Sequence, residues 1–291
     1  MELIDGTRIS NNKRTRLKEK IDKIRLETGK VPGLATILVG NDHASQIYIN
    51  SKIKACKDVG IKSFHYNLDL NTSQANIINL IKNLNKDSSI DGILLQLPLP
   101  YNQNARNCIN AINPLKDVDG LNPFNVGLLN ISKNWDEIVK NNIFVPCTPL
   151  GIMNLLHLSN IIINGKTTIV IGRSNLVGKP LSTLLLANNA TVIMAHSKTK
   201  NLQKLCKIAD IIVIAVGKPK FLDKNFINDG VVIIDVGINR ITNKICGDVN
   251  IDLIKDMKIT ITPVPGGVGP MTITMLLENT LKAFNINRTK K

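Results

Sequence analysis

The sequence predicts an α/β fold built on parallel sheets, and three observations carry that prediction. Apolar runs of strand length, such as residues 33–40 and 209–216, alternate with stretches whose apolar residues recur at helical spacing. Glycine or proline closes most of the strand-like runs, as at Gly40, Pro98, Gly172 and Gly217. Residues 165–199 combine both signals into one strand–turn–helix–strand unit, long enough for a parallel crossover. The 291 residues suffice for two compact domains, and 43% apolar with 20% charged residues is ordinary globular composition.

Taken in order, residues 8–28 are rich in helix formers and Gly29 supplies a stop; 33–40 read as a buried strand, followed by a helix from near Asp42 to Cys56. On that helix Tyr48 and Lys52 are four apart and share a face. Residues 63–68, 73–84 and 90–97 read as strand, helix and strand. The last of these ends in Leu95-Gln96-Leu97-Pro98-Leu99-Pro100, which puts Gln96 at a strand's carboxyl end, where open parallel sheets bind ligands. A short helix follows. Residues 113–129, punctuated by Gly and Pro, read as a loop containing Lys116-Asp117-Val118-Asp119-Gly120. Pro146-Cys147-Thr148-Pro149 marks a boundary before a helix at 150–158.

The central unit starts with a strand at 168–171, turns at Gly172, resumes as a helix from Pro180 and returns as a strand at 191–195. Gly172 permits a sharp turn at the strand end, and Gly178 permits close backbone approach. Pro180 suits a first helical turn, whose free amides attract phosphate. The turn reads Gly172-Arg173-Ser174-Asn175-Leu176-Val177-Gly178, so the generic G-x-G-x-x-G fingerprint is not met. Further strands are expected at 209–216, 231–236 and 259–261. A glycine–proline segment, residues 263–272, then leads into a helix ending near Phe284.

Other classes are poorly supported. The five cysteines are scattered without a C-x-x-C pair and read as reduced structural thiols, and the four histidines have no ligand spacing, so no protein-bound metal is expected. His43, His65 and His157 read as structural. The longest apolar run is too short to span a bilayer, and the first residues lack a signal-peptide pattern, which points to a cytoplasmic protein without a membrane partner. A net charge of +15 invites a nucleic-acid partner, yet the lysines are dispersed and aromatic residues are only 3%, so none is expected.

Seven segments, in order, carry a family likeness: Y-x-x-x-K at Tyr48 to Lys52, L-Q-L-P-L-P from Leu95, K-D-V-D-G from Lys116, P-C-T-P from Pro146, G-R-S-x-x-V-G-K-P from Gly172, D-V-G-I-N-R from Asp235 and P-V-P-G-G-V-G-P-M-T from Pro263. Together the chain resembles the bifunctional methylenetetrahydrofolate dehydrogenase/methenyltetrahydrofolate cyclohydrolase family, called FolD in bacteria. The resemblance implies a catalytic folate-binding domain from residues 1–145 and 271–291, with a C-terminal helix returning to it, and a Rossmann-like dinucleotide-binding domain at 146–270. It implies oxidation of 5,10-methylenetetrahydrofolate to the methenyl cation with a nicotinamide cofactor, hydrolysis to 10-formyltetrahydrofolate in one shared cleft, and a homodimer. By motif, Lys52 is the catalytic lysine, Tyr48 positions the folate, Gln96 contacts Lys52, and Asp119 binds the pterin. Leu97, Pro265, Gly266, Gly267 and Thr272 join the substrate site, while Gly172, Arg173, Ser174, Ser197 and Ile238 line the cofactor.

Two details refine this. An NAD-selective site commonly ends its second strand in Asp or Glu, whereas Ala195-His196-Ser197-Lys198-Thr199 has no carboxylate; Arg173, Ser197 and Lys198 instead suit a 2′-phosphate, so NADP is expected. Asn102, and Leu121-Asn122 after the K-D-V-D-G glycine, depart from residues common in the family. The alternatives are a monofunctional methylenetetrahydrofolate dehydrogenase and, more remotely, a basic Rossmann-like protein that binds polyanions. Singly, Tyr48, Lys52, Gln96 and Asp119 would each read as structural; only the ordered motifs make them a site.

Overall fold

The computed structural model describes residues 1–101, 103–242 and 244–289, without the side chains of 43–45 and 289. Asn102 lies outside the described residues, as does the side chain of His43. The chain divides into two units, one of Asn12–Leu128, Asn142–Cys147 and Ile273–Lys291, the other of Met1–Asn11, Leu129–Asn141 and Thr148–Thr272. The elements are strand β1 (Glu2–Leu3), helix α1 (Gly6–Thr28), β2 (Gly33–Val39), α2 (His43–Val59), β3 (Lys62–Leu68), α3 (Gln74–Lys86), β4 (Gly92–Leu95), α4 (Ala105–Asn110), α5 (Pro123–Ile131), α6 (Trp135–Lys140), α7 (Cys147–Leu158), β5 (Thr167–Ile171), α8 (Gly178–Ala187), β6 (Thr191–Ala195), α9 (Leu202–Lys207), β7 (Ile211–Ile214), β8 (Val232–Asp235), β9 (Asn239–Ile241), β10 (Lys244–Cys246), β11 (Thr260–Ile261) and α10 (Val268–Thr289).

In the first unit, β2 is the centre of a parallel three-stranded sheet ordered β3-β2-β4. Every residue of β2 is buried, which is why its sequence is continuously apolar rather than alternating. Helix α3 starts on Ser73, whose hydroxyl caps the Asn76 amide, and buries the stripe Ile77, Ile81 and Leu84 against Ile37, Ile93 and Leu95 of the sheet. The chain leaves β2 toward β3 on one side and returns to β4 on the other, so the order reverses between β2 and β4. Ligands of open α/β sheets bind at the carboxyl ends beside such a reversal.

The second unit holds a parallel six-stranded sheet ordered β1-β11-β8-β7-β5-β6. Its reversal falls between β5 and β7, which pair from Thr168↔Ile211 to Ile171↔Ile214. The core on one face gathers Ile169, Ile171, Ile212, Ile214, Ile233 and Ile261. Edge strand β6 is largely exposed or half-buried, whereas central β7 is wholly buried.

Several elements differ from expectation. Residues 1–11, placed by sequence with the N-terminal half, belong to the second unit because β1 pairs with β11, Glu2 opposite Thr260. Residues 129–141 belong there too. The expected loop at 113–129 contains the start of α5: Pro123 occupies a first-turn position that needs no N–H, and Asn122 Oδ1 accepts from the Phe124 amide at 2.9 Å. Helices α6 and α9 and the β9–β10 hairpin were not expected from the pattern. Helix α10 begins at Val268, inside the glycine–proline segment, with Pro270 in its first turn.

Candidate active site

Helix α2 buries Ile49, Cys56 and Val59, and Lys52 falls on the same stripe at helical spacing. Position alone therefore sends a lysine toward the protein. Its Nζ donates to Gln96 Oε1 at 2.8 Å. Gln96 continues the β4–β2 ladder, its amide N–H reaching the Ile37 carbonyl at 2.9 Å, and its Nε2 donates to the Leu97 carbonyl at 2.7 Å. With Nε2 thus engaged, Oε1 is left to face Lys52. Tyr48, one turn before Lys52, is half-buried, and burial raises its phenol pKa.

Asp119 comes to the same place from the K-D-V-D-G segment, which runs beside β4: the Ile93 amide donates to the Lys116 carbonyl at 2.7 Å, and Ile93 bridges Asp117. The rest of that segment is structural. Lys116 Nζ donates to the carbonyls of Leu84 at 3.0 Å and Asp87 at 2.7 Å, closing the end of α3. Buried Asp117 accepts from the amides of Leu121 and Asn122 and from Asn125 Nδ2, and burial lifts its pKa to about 6. Gly120 has φ +65, and a Cβ there would sit 2.5 Å from the Val145 carbonyl carbon, so the turn admits only glycine. Asn122, one of the two departures beside this segment, donates to the carbonyls of Ile109 and Ile112 and holds α4 to the loop.

The electrostatics of this centre are coupled. Desolvation lowers the Lys52 pKa, and the Asp119 carboxylate opposes that fall. Burial raises the Asp119 pKa, opposed by Lys52 and by hydrogen bonds from the Cys147 thiol and amide. Each group is thus moved toward its neutral form while the other restrains it, an arrangement that brings two proton affinities together. Both side chains retain some exposed area, so the recess is open to solvent although protein surrounds it. Cys147, read from the sequence as a structural thiol, is a close neighbour of Asp119; its burial and the adjoining carboxylate push its pKa well above the usual thiol value.

In the six-stranded unit the expected cofactor residues cluster at carboxyl ends of strands. At the end of β5, Gly172 has φ +134, and a Cβ there would lie 2.5 Å from the Ala215 carbonyl oxygen; one on Gly178 would lie 2.1 Å from the Gly172 carbonyl oxygen. The two glycines let the turn fold flat against the neighbouring strand end and open α8 beneath it. Ser174 is partly committed to this turn, its Oγ accepting from the Val177 amide at 3.1 Å. Arg173, after β5, and Ser197, after β6, are exposed at the ends of paired strands in which Ile171 faces Ala195. Ile238, also exposed, follows β8. Pro265, Gly266 and Gly267 follow β11, where the Gly266 carbonyl accepts from the Thr7 amide at 2.8 Å. Thr272 Oγ1 meets Thr148 Oγ1 at 3.1 Å.

Sequence reading also missed two organising carboxylates here. Asp235 accepts from the amides of Gly237, Asp248 and Val249, and burial lifts its pKa to about 6. Asp248 accepts from the amides of Val216 and Gly217 and from Asn239 Nδ2, fixing the chain after β7 and β8. Among the described residues, no group of three or more His, Cys, Asp or Glu is placed to hold a metal ion.

A unit with a reversed parallel sheet and a glycine turn opening a helix, joined in one chain to a second α/β unit carrying a lysine–carboxylate recess, defines a dinucleotide-dependent α/β enzyme. Comparison with known proteins makes the assignment particular. The catalytic domain of tetrahydrofolate dehydrogenase/cyclohydrolase matches residues 4–119, and the NAD(P)-binding domain of the same enzymes matches 146–288. The bifunctional protein FolD of Acetivibrio thermocellus is 48% identical over 100% of this chain and 99% of its own, and that of Agathobacter rectalis 51% over 97% and 98%. The crystal structure of the bifunctional FolD enzyme of Campylobacter jejuni is similar with a TM-score of 0.92 at 44% identity, covering 99% of both chains. That of Trypanosoma brucei FolD, complexed with NADP cofactor and inhibitor, has a TM-score of 0.92 at 35% identity over 98% of both. The chain belongs to the tetrahydrofolate dehydrogenase/cyclohydrolase family.

Proposed function

We propose that this chain oxidises 5,10-methylenetetrahydrofolate to 5,10-methenyltetrahydrofolate with NADP and hydrolyses the product to 10-formyltetrahydrofolate, with Lys52, Gln96 and Asp119 as its chemical centre. The observation that carries the reading is the Lys52–Gln96 contact at 2.8 Å in a recess shared with Asp119. We assign folate binding to the unit of the three-stranded sheet, with Tyr48 and Leu97 beside that centre. Dinucleotide binding we assign to the six-stranded unit, where Gly172, Arg173, Ser174, Ser197 and Ile238 stand at strand ends; Pro265, Gly266, Gly267 and Thr272 are assigned to substrate contact by family likeness.

The residues fit NADP. Gly172 and Gly178, where a Cβ would strike neighbouring backbone, let the turn lie flat so that the free amides opening α8 can face a pyrophosphate, and Arg173, Ser197 and Lys198 can hold a 2′-phosphate where no carboxylate stands. NADP, when bound, supplies the hydride acceptor. For the oxidation, the substrate's own nitrogen lone pair stabilises the developing cation, so the protein's task is alignment by Tyr48, Lys52 and Asp119. Hydrolysis asks more: water must attack the methenyl carbon and lose a proton, after which the bond from that carbon to N5 breaks and N5 takes up a proton to leave the 10-formyl group. Lys52, with its pKa lowered by burial and its Nζ fixed by Gln96, takes or relays that proton, and Asp119 balances the charge.

Family likeness further supports a cytoplasmic homodimer acting on tetrahydrofolate derivatives and feeding formyl groups to purine synthesis, without nucleic-acid or membrane partners. The test is an absorbance assay of both reactions on purified protein, beside a gel-shift titration with RNA against salt. Methenyl formation with NADP followed by its hydrolysis is the expected result. Salt-sensitive RNA binding without turnover would overturn the reading in favour of a polyanion-binding protein, and oxidation without hydrolysis would reduce it to a monofunctional dehydrogenase.

A further inference from the structure

Asn279 lies in the middle of α10 and is only 3% exposed, although Glu278, Thr280 and Lys282 beside it are also polar. Its Nδ2 donates to the Val118 carbonyl at 2.8 Å and the Val145 carbonyl at 3.1 Å, and lies 3.8 Å from Cys147 Sγ. Cys147 Sγ lies 3.3 Å from the same Val118 carbonyl oxygen. One amide therefore joins the two segments that frame Asp119: Val118 is its chain neighbour, and Cys147 supplies the thiol and amide that its carboxylate accepts. One turn on, Lys282 Nζ donates to the Ile143 carbonyl at 2.8 Å and so grips the same 143–147 segment, but it has no bond to the Asp119 loop. Gly120, with its turn pressed against Val145 and Pro146, closes the frame from the other side.

We infer that Asn279 is a positioning residue of the folate site, a clamp that fixes Asp119 in the neighbourhood of Lys52 by tying the 116–120 loop to the 143–147 segment. A buried amide whose donors go to loop carbonyls rather than to its own helix restrains those loops. Losing it leaves the carbonyls without their donor and lets the Asp119 backbone drift. A displacement of about 1 Å at such a centre is enough to cost one to two orders of magnitude. The inference rests on the folate reading of Asp119 for its kinetic arm, and on the hydrogen-bond geometry together with the charge coupling of Asp119 to Lys52 for its chemical arm.

The experiment compares Asn279→Leu, which keeps the size and loses the donors, and Asn279→Ser, which can keep one, with Thr280→Val as control. Thr280 is the next residue, fully buried, and its hydroxyl bonds only the Leu276 carbonyl of its own helix. The expected result is a folate KM raised roughly tenfold in the Asn279 variants with the dinucleotide KM within about twofold of wild type, and neither changed in Thr280→Val. Independently of turnover, loosening Asp119 removes the charge that opposes the lowered Lys52 pKa, so Lys52 should react faster with acetic anhydride at fixed pH in both variants, read by mass spectrometry. If Asn279→Leu fails to fold, Asn279→Ser decides. A folded Asn279→Ser protein with wild-type folate KM and wild-type Lys52 labelling overturns the inference, as does an equal rise of both KM values. Wild-type protein that turns over no folate would defeat the functional reading while the labelling comparison still decides this one.

Discussion

Replacing Lys52 by methionine should separate the two reactions proposed for this centre. The substitution keeps most of the side chain's length and removes its charge and its donor, so Gln96 Oε1 loses the 2.8 Å contact and Asp119 loses the cation that restrains its pKa. An orphaned buried acceptor costs about 1–3 kcal/mol, partly offset because a desolvated ammonium is no longer held in the recess. The net loss of stability should therefore stay below about 3 kcal/mol, leaving a folded protein to assay. The Asp119 pKa lies above its unfolded value and rises further without Lys52, so ionising it counts against the native state as pH climbs, and the deficit should be larger at pH 8 than at pH 5. Cyclohydrolase activity should fall by about 10²–10⁴, the worth of a positioned proton-transfer group, or roughly 3–5 kcal/mol of barrier. Dehydrogenase activity should fall less, since only alignment is lost. Adding Gln96→Ala to Lys52→Met should cost hydrolysis little more, because the two residues act as one unit. The assays are methenyltetrahydrofolate decay by absorbance and NADPH appearance. Near wild-type hydrolysis by folded Lys52→Met protein would remove Lys52 from the mechanism, and equal loss of both activities would make it a binding residue only.

Three further outcomes are expected. Arg173→Ala should raise the NADP KM about 10- to 100-fold, as loss of a charge-assisted phosphate contact does, while the NAD KM barely moves; equal effects on both would refute a 2′-phosphate role. Gly178→Ala would place a methyl 2.1 Å from the Gly172 carbonyl oxygen, and because both sides are backbone the turn must open. A loss of about 2 kcal/mol or more in urea unfolding and at least about tenfold weaker dinucleotide binding are expected, and unchanged binding by calorimetry would contradict the described turn. Asp235, raised from 3.8 to about 6, holds a proton in the native state that the unfolded chain has already released, so it subtracts stability as pH rises from about 4 to about 6. That amounts to about 3 kcal/mol at pH 7. Asp235→Asn should flatten this part of the stability–pH curve, measured by urea midpoints, and an unchanged slope would show that the carboxyl does not titrate there.

Much of this was legible in the chain because the governing signals are local. Continuous apolar runs marked β2, β5, β7 and β8, and glycines at Gly172 and Gly178 marked the turn. The shared face of Tyr48 and Lys52 was also visible, although alone it would pass for a solvated face; that Lys52 lies on the buried stripe of Ile49, Cys56 and Val59 emerges only from the fold. What escaped depends on specific hydrogen bonds and pairings that residue periodicity does not display, some local and some distant in sequence. The start of α5 is set by the carboxylate of Asp117 and the amide of Asn122, so its Pro and Gly read as loop. Strand β1 has two residues and exists only because β11 offers an edge. Asn279 is indistinguishable in sequence from any polar residue of a helix until Val118 and Val145 are brought to it.

The K-D-V-D-G segment shows why a motif and a site are different things. Lys116 is spent on the end of α3 and Asp117 on the entry to α5, while Gly120 is required by the backbone of Val145 and Pro146. Val118 is buried and offers its carbonyl to Asn279. Only Asp119 turns toward Lys52. Most of the segment serves to hold one carboxylate beside the strand end that carries Gln96, at the reversal of strand order between β2 and β4. The same topological rule puts the glycine turn at the reversal between β5 and β7 in the other unit. Each sheet leaves its chemistry where neighbouring strands send their connections to opposite faces, because only there do the carboxyl ends open a crevice that no connection fills.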